Sequence, residues 1–279
     1  MPSSEKSVHT HTLVMGIINA TPDSFSDGGK NLDAETAIVA GLEMLDAGAH
    51  IVDVGGESTR PGSQYVAVEE ELRRAIPVIK EIHGRRPEAL ISIDTRRKSV
   101  AEQAVSAGAR MINDVSGFRD EPEMADFARE AGVDVVIMHM LGTPKTMQTE
   151  IRYHRFPDDI YRFFQERLET LEGSGMDPEK IVIDPGIGFG KTFDQNLILL
   201  NRLDFLKPLG KRILVGPSRK AFLGKILDEP LAAARDTGTL ATVAAAVFRG
   251  ASIIRVHDVP AAVQVCKVAD AIKRERTNP

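Results

Sequence analysis

The 279-residue sequence has a single cysteine, Cys266, which excludes an intrachain disulfide and fits a reducing, cytoplasmic compartment. It has no basic excess: 35 Lys and Arg face 40 Asp and Glu, a net charge of −5. A general nucleic-acid-binding surface is therefore not expected, and any bound anion must meet a local cluster. No apolar run approaches the ~20 residues of a membrane span. Met1 to Thr12 is polar and lacks a signal-peptide core, so residues 1–12 are expected to form a disordered tail. No two histidines have the helical spacing of a zinc protease and there is no Gly-x-Ser-x-Gly elbow, which removes support for zinc and serine hydrolysis.

What is present is alternation. Eight short apolar, β-branched runs recur: 13–19, 50–54, 89–94, 110–113, 133–139, 181–184, 212–216 and 252–257. They are nearly continuous in Val, Ile and Met, as expected of a parallel sheet covered by helices. Between them lie helical patterns, four ending at a glycine suited to a left-handed cap: 33–47 before Gly48, 97–107 before Gly108, 122–131 before Gly132 and 238–249 before Gly250. Pro77 is expected to kink or divide the helix over 68–82, and 141–174 to carry a loop before its helix. Eight strand–helix units of roughly 34 residues suit a single-domain (β/α)8 TIM barrel over 13–279, with an open doubly wound sheet as the alternative.

Barrel enzymes place their chemistry at the C-terminal strand rims. Here those rims carry Asn19, Asp53, Asp94, Asn113 and Asp184, then Ser218, Arg219 and Lys220 after the seventh run, and Arg255, Val256 and His257 at the eighth. Any one of the acids could cap a helix, as Asp94 could for the helix near Arg97, but capping does not account for all of them together. Closure would bring Arg255 and His257 beside Asn19 and Lys220 as a cationic arc, opposite an acceptor arc of Asp94, Asn113 and Asp184. Such a site suits a two-ended substrate: an anionic group held by the cations and a metal at Asn19, and a donor-rich planar group read by carboxylates.

The glycines of residues 186–192 match neither a Walker loop nor a dinucleotide fingerprint, because Pro185 and Lys191 stand where glycines are needed. They either let backbone approach a flat ligand or serve a tight turn, and Phe189 is either a stacking face or a core aromatic. The loops after the first and second runs are long enough to be lids, and Arg60 on the second is a candidate anion clamp. His139 reads as a buried, satisfied histidine, and Lys220, past its strand, as a charge donor rather than a Schiff-base lysine.

In order along the chain, MGIINATPDSFSDGG (15–29), DVGGESTRPGS (53–63), IDTRRKSVAEQAVSAGARMINDVSG (93–117), DPGIGFGK (184–191), GPSRKAFLG (216–224) and IIRVHDV (253–259) make the chain resemble the dihydropteroate synthase family from Leu13 to Ala271. That resemblance implies a cytoplasmic, homodimeric TIM-barrel transferase and sulfonamide target. Its members join 6-hydroxymethyl-7,8-dihydropterin pyrophosphate to p-aminobenzoate in folate biosynthesis, releasing pyrophosphate with Mg²⁺. It puts the pterin on Asp94, Asn113, Met138, Asp184, Phe189 and Lys220. Pyrophosphate falls to Asn19, Thr59, Arg60, Arg255, Val256 and His257, with Mg²⁺ at Asn19. The p-aminobenzoate pocket comprises Phe25, Arg60, Pro61, Ser218 and Lys220, and catalysis falls to Asp94, Lys220, Arg255 and His257. Ala221 departs from a serine common in the family that can contact the p-aminobenzoate carboxylate. A related corrinoid-type pterin methyltransferase or a non-enzymatic pterin-binding paralogue are the rival readings, neither of which needs the Thr-Arg-Pro-Gly loop with Arg255 and His257.

Overall fold

In the computed structural model, which describes residues 11–20, 30–59, 62–63, 65–149 and 151–274, the eight apolar runs become eight strands. Element order is β1 (Leu13–Asn19), α1 (Lys30–Asp46), β2 (Ile51–Gly55), α2 (Val68–Arg85), β3 (Leu90–Asp94), α3 (Lys98–Ser106), β4 (Met111–Asp114), α4 (Glu123–Ala131) and β5 (Asp134–Met138). It continues with α5 (Asp158–Gly173), β6 (Ile181–Asp184), α6 (Phe193–Asn201), β7 (Arg212–Val215), α7 (Ala221–Leu227), α8 (Asp236–Arg249), β8 (Ile253–Val256) and α9 (Val259–Lys273). Every strand pairs in parallel with the next, and β8 pairs with β1, so the sheet closes and the open doubly wound alternative is excluded.

Gly48, Gly108, Gly132 and Gly250 all adopt positive φ, between 63° and 119°, at the helix ends assigned to them. Residues 141–149 and 151–157 precede α5 as expected of a loop. Pro77 does not divide its helix: α2 runs on to Arg85, because Pro77 and Arg73, the residue whose carbonyl loses its N–H partner, both lie on the exposed side, where water can serve that carbonyl. Thr12 does not belong to a free tail. It is buried, its N–H and hydroxyl donating to Asp270 at 2.6 and 2.8 Å.

Two apolar layers follow from the period of two along each strand. Outward residues such as Val52, Ile91, Ile112 and Ile254 pack under the helices. Inward residues Met15, Ile51, Met111, Val136, Val182, Leu214 and Ile253 fill the barrel. On four of the strands the next inward position, two residues on, is where polar groups begin: Asp53 above Ile51, Asn113 above Met111, Asp184 above Val182 and Arg255 above Ile253. Register then sets neighbours, Asp94 beside Asn113 and Met138 beside Asp184. The apolar plug thus forms the floor on which the polar layer stands.

Candidate active site

Arg255 occupies the centre of that polar layer. Its Nε donates to Asp53 Oδ2 at 2.6 Å and its Nη2 to Asp94 Oδ2 at 2.8 Å. Asp53 Oδ2 also accepts from Asn113 Nδ2 at 3.0 Å, which orients the amide. The expected division into a cationic arc and an acidic arc is therefore not what the structure shows. Arg255 crosses the barrel to the acids, because two buried carboxylates close together demand a counter-charge. Burial above all, with Asp53 adding and Arg255 opposing, pushes Asp94 up to about 7. Although burial disfavours its charge, Asp53 and Asp94 hold the Arg255 guanidinium above its ordinary value.

Asp94 is not a helix cap. The residue preceding α3 is Arg97, and the Lys98 N–H is served instead by Glu121 Oε2 at 2.6 Å. Asp184 accepts the Gly186 N–H at 2.7 Å and is raised by burial, against the pull of that N–H, Lys220 and Lys191. Lys220 places its ammonium 4.1 Å from the centre of the Phe189 ring. Phe189 packs at the edge of a small cluster of Val115, Met138, Met140 and Met147, so it serves both as core and as a face of the site.

The glycine loop is held from below. Gly186 has φ +69°, and a Cβ there would stand 2.1 Å from the His139 carbonyl oxygen, so only glycine fits this approach. Lys191 is buried, donating to the His139 carbonyl at 2.8 Å and the Phe189 carbonyl at 3.0 Å, with its Nζ 2.9 Å from His139 Nδ1. His139 is buried with its Nδ1 partnered by Lys191, as a satisfied core histidine should be, and burial first, then Lys191, lowers its pKa well below the usual value.

Asp94, Asn113, Met138, Asp184, Phe189, Lys220, Arg255 and Thr59 line one narrow recess of about 20 Å³. It opens into a cavity of about 970 Å³ that adds Asn19, Ser218 and His257. Ser218 Oγ lies 2.8 Å from His257 Nδ1 and accepts the His257 N–H at 3.3 Å, tying the β7 and β8 rims. Val256 does not join them: its side chain is fully buried in the outer core, as the strand period requires for the neighbour of an inward Arg255. Phe25, Arg60 and Pro61 lie outside the described residues. Asp53, named among the rims but given no role, and Lys191 support the site from beneath: Asp53 through Arg255 and Asn113, Lys191 through the glycine loop. Asp53 lies one position short of its strand end, and its two-residue offset from Ile51 is the available signal; Lys191 enters the sequence reading as the residue that breaks a dinucleotide fingerprint.

Among the described residues no three His, Cys, Asp or Glu side chains converge on a metal position, and Asp53 and Asp94 already accept from Arg255. The single amide oxygen of Asn19 fits a divalent ion that brings its other oxygen ligands with it.

Comparison with known proteins now adds to this geometry. The family profile described as "Pterin binding enzyme" matches residues 15–257. The chain is 49% identical over 263 residues to a dihydropteroate synthase of Synechocystis, covering 94% of this chain and 91% of that one. The structure of Xanthomonas albilineans dihydropteroate synthase with 4-aminobenzoic acid superposes with a TM-score of 0.89 at 42% identity, covering 96% of this chain and 94% of that one. A Clostridium difficile dihydropteroate synthase crystallised in the presence of pteroic acid gives 0.88 at 44% identity, with 95% and 98% covered.

Proposed function

The chain belongs to the dihydropteroate synthase family of pterin-binding enzymes, and on that premise we propose how its rims carry out the synthase reaction. It is a transferase of folate biosynthesis that condenses 6-hydroxymethyl-7,8-dihydropterin pyrophosphate with p-aminobenzoate to give 7,8-dihydropteroate and pyrophosphate. The observation that carries the assignment of roles is that Asp184, Asn113, Asp94, Lys220 and Arg255 line one recess.

The pterin edge offers an amino group and ring N–H donors, which Asp184 accepts, while Asn113 and Lys220 serve its acceptor side and Met138 and Phe189 its faces. At about 20 Å³ the recess is far smaller than the few hundred Å³ of a small-molecule site, so the ring must displace what crosses it. The Arg255 guanidinium is that obstacle. It moves toward the diphosphate, to join Asn19, Thr59, Arg60, Ser218 and His257, and the pterin takes its place opposite Asp94.

The C–O bond between the methylene carbon and the diphosphate then breaks, its electron pair leaving with pyrophosphate, while the ring nitrogen lone pair delocalises the positive charge. Asp94 opposes that charge, and Arg255 and His257 balance the leaving group. The amine nitrogen forms the new C–N bond and loses its proton to solvent. No protein nucleophile is needed. Mg²⁺ held by the Asn19 amide oxygen together with substrate and water oxygens would offset leaving-group charge. Phe25, Arg60 and Pro61 complete the p-aminobenzoate pocket with Ser218 and Lys220.

A second copy of the chain is expected to cover Ile226 and Leu227 on α7, Leu231 between α7 and α8, and Phe248 on α8, which are 51%, 45%, 65% and 45% exposed. Among the described residues no helix is long and apolar enough to cross a membrane, and the cytoplasm is the proposed location. The deciding experiment mixes the protein with pterin pyrophosphate, Mg²⁺ and p-aminobenzoate and follows pyrophosphate. Release that depends on the amine supports the synthase reading; release indifferent to it, or none, contradicts it.

A further inference from the structure

The turn between β7 and α7 drives a side-chain-bearing residue into left-handed backbone: Arg219 has φ +57°. For such a residue this conformation is disfavoured by about tenfold in population or more. Its two neighbours are both site residues. Ser218 precedes it and meets His257, and Lys220 follows it and lies over Phe189. If Arg219 relaxed to ordinary helical or extended backbone, both neighbouring side chains would swing.

Among the described residues, the hydrogen bonds that hold Arg219 come from the start of α8. Its guanidinium makes a two-pronged ion pair with Asp236, Nε to Oδ1 and Nη2 to Oδ2, both at 2.8 Å. Its N–H donates to Thr239 Oγ1 at 3.0 Å, and its carbonyl accepts from Arg235 Nη1 at 3.2 Å. Arg235 in turn donates to the carbonyls of Glu229 and Pro230, at 2.9 and 2.6 Å, fixing the far end of the same excursion. Asp236 sits in the first turn of α8, where the helix dipole favours its charge. A planar, bidentate pair restrains direction as well as distance, which a single hydrogen bond would not.

We propose that Asp236, which does not line the cavity, is a positioning residue for the reaction: through the ion pair with Arg219 it keeps that residue left-handed and so aims Ser218 and Lys220 into the site. The proposal rests on the synthase reading for its kinetic consequences. Arg219 itself lines the outer cavity, so the competing explanation is that its guanidinium touches substrate directly.

Glycine separates the two, because it adopts left-handed backbone without a clamp. Arg219→Ala and Asp236→Ala should each lower kcat/KM for the pterin pyrophosphate about tenfold, chiefly through KM. Arg219→Gly should lose no more than about threefold, and adding Asp236→Ala to it should cost nothing further. Equal losses in Arg219→Ala and Arg219→Gly would overturn the proposal in favour of direct contact. Amide hydrogen exchange at residues 219 and 220, which does not depend on the reaction catalysed, should quicken in Asp236→Ala; unchanged exchange also overturns it. A wild-type protein without amine-dependent pyrophosphate release would sink the synthase reading alone, and the exchange measurement would still decide the clamp.

Discussion

Replacing Asp53→Asn removes one of the two carboxylates on Arg255 while keeping the side chain's shape. In the wild-type protein Asp94 is raised to about 7, by burial first and with Asp53 among the charges that add to it. Two carboxylates ~5 Å apart at an effective permittivity of ~20 repel by about 3 kcal/mol, equivalent to about two pH units. Arg255 between them screens part of that, leaving about one unit. Asp94 must be ionised to oppose the pterin cation, so wild-type kcat/KM should fall as pH drops through about 7. The Asn variant should carry the same acid limb about one unit lower, measured by pyrophosphate release across the pH range. It should also be less stable by about 2–4 kcal/mol, since Arg255 Nε and Asn113 Nδ2 lose a charged acceptor at a fully buried position. A folded variant whose acid limb stays put or moves upward would refute the reasoning.

Asp94→Asn should cut kcat about a hundredfold with little change in pterin affinity, and equal losses in both would count against its role. The same variant bears on stability. The folded Asp94 pKa lies above the ordinary 3.8, so its contribution is present below that value and lost as pH rises through about 7; the variant should therefore gain in Tm relative to wild type at pH above that, and not in acid. Lys191→Met should lower Tm by about 5–10 °C, because two carbonyls and a ring nitrogen lose their donor in a buried place, and a melt within a degree of wild type would contradict the holding role. Chelation of divalent ions should stop turnover but leave the Tm of the substrate-free protein unchanged, whereas a fall in Tm would reveal a resident metal.

Much of this is legible in the amino-acid sequence. The strands followed from unbroken Val, Ile and Met runs, since a sheet buried on both faces leaves little room for other residues, and Leu13–Asn19 and Ile181–Asp184 match to the residue. The ring of polar rims followed too, because Asn113 and Asp184 interrupt apolar runs at their ends. Partnership was not legible. That Arg255 would reach Asp53 and Asp94 depends on which charges the closed barrel desolvates together, a property of three strands distant in sequence. Val256 was included with its neighbours although the strand period turns it outward. The role of Lys191 likewise needed the approach of Gly186 to the His139 carbonyl, a contact across 47 residues that no local pattern carries.

The most direct test of the account is a crystal structure of the protein with pterin pyrophosphate and Mg²⁺. The account predicts the pterin edge on Asp184 and Asn113, the diphosphate by Asn19 and His257, and Arg255 withdrawn from Asp94 onto the diphosphate. Arg255 still bridging Asp53 and Asp94, with the ring bound elsewhere in the outer cavity, would contradict it.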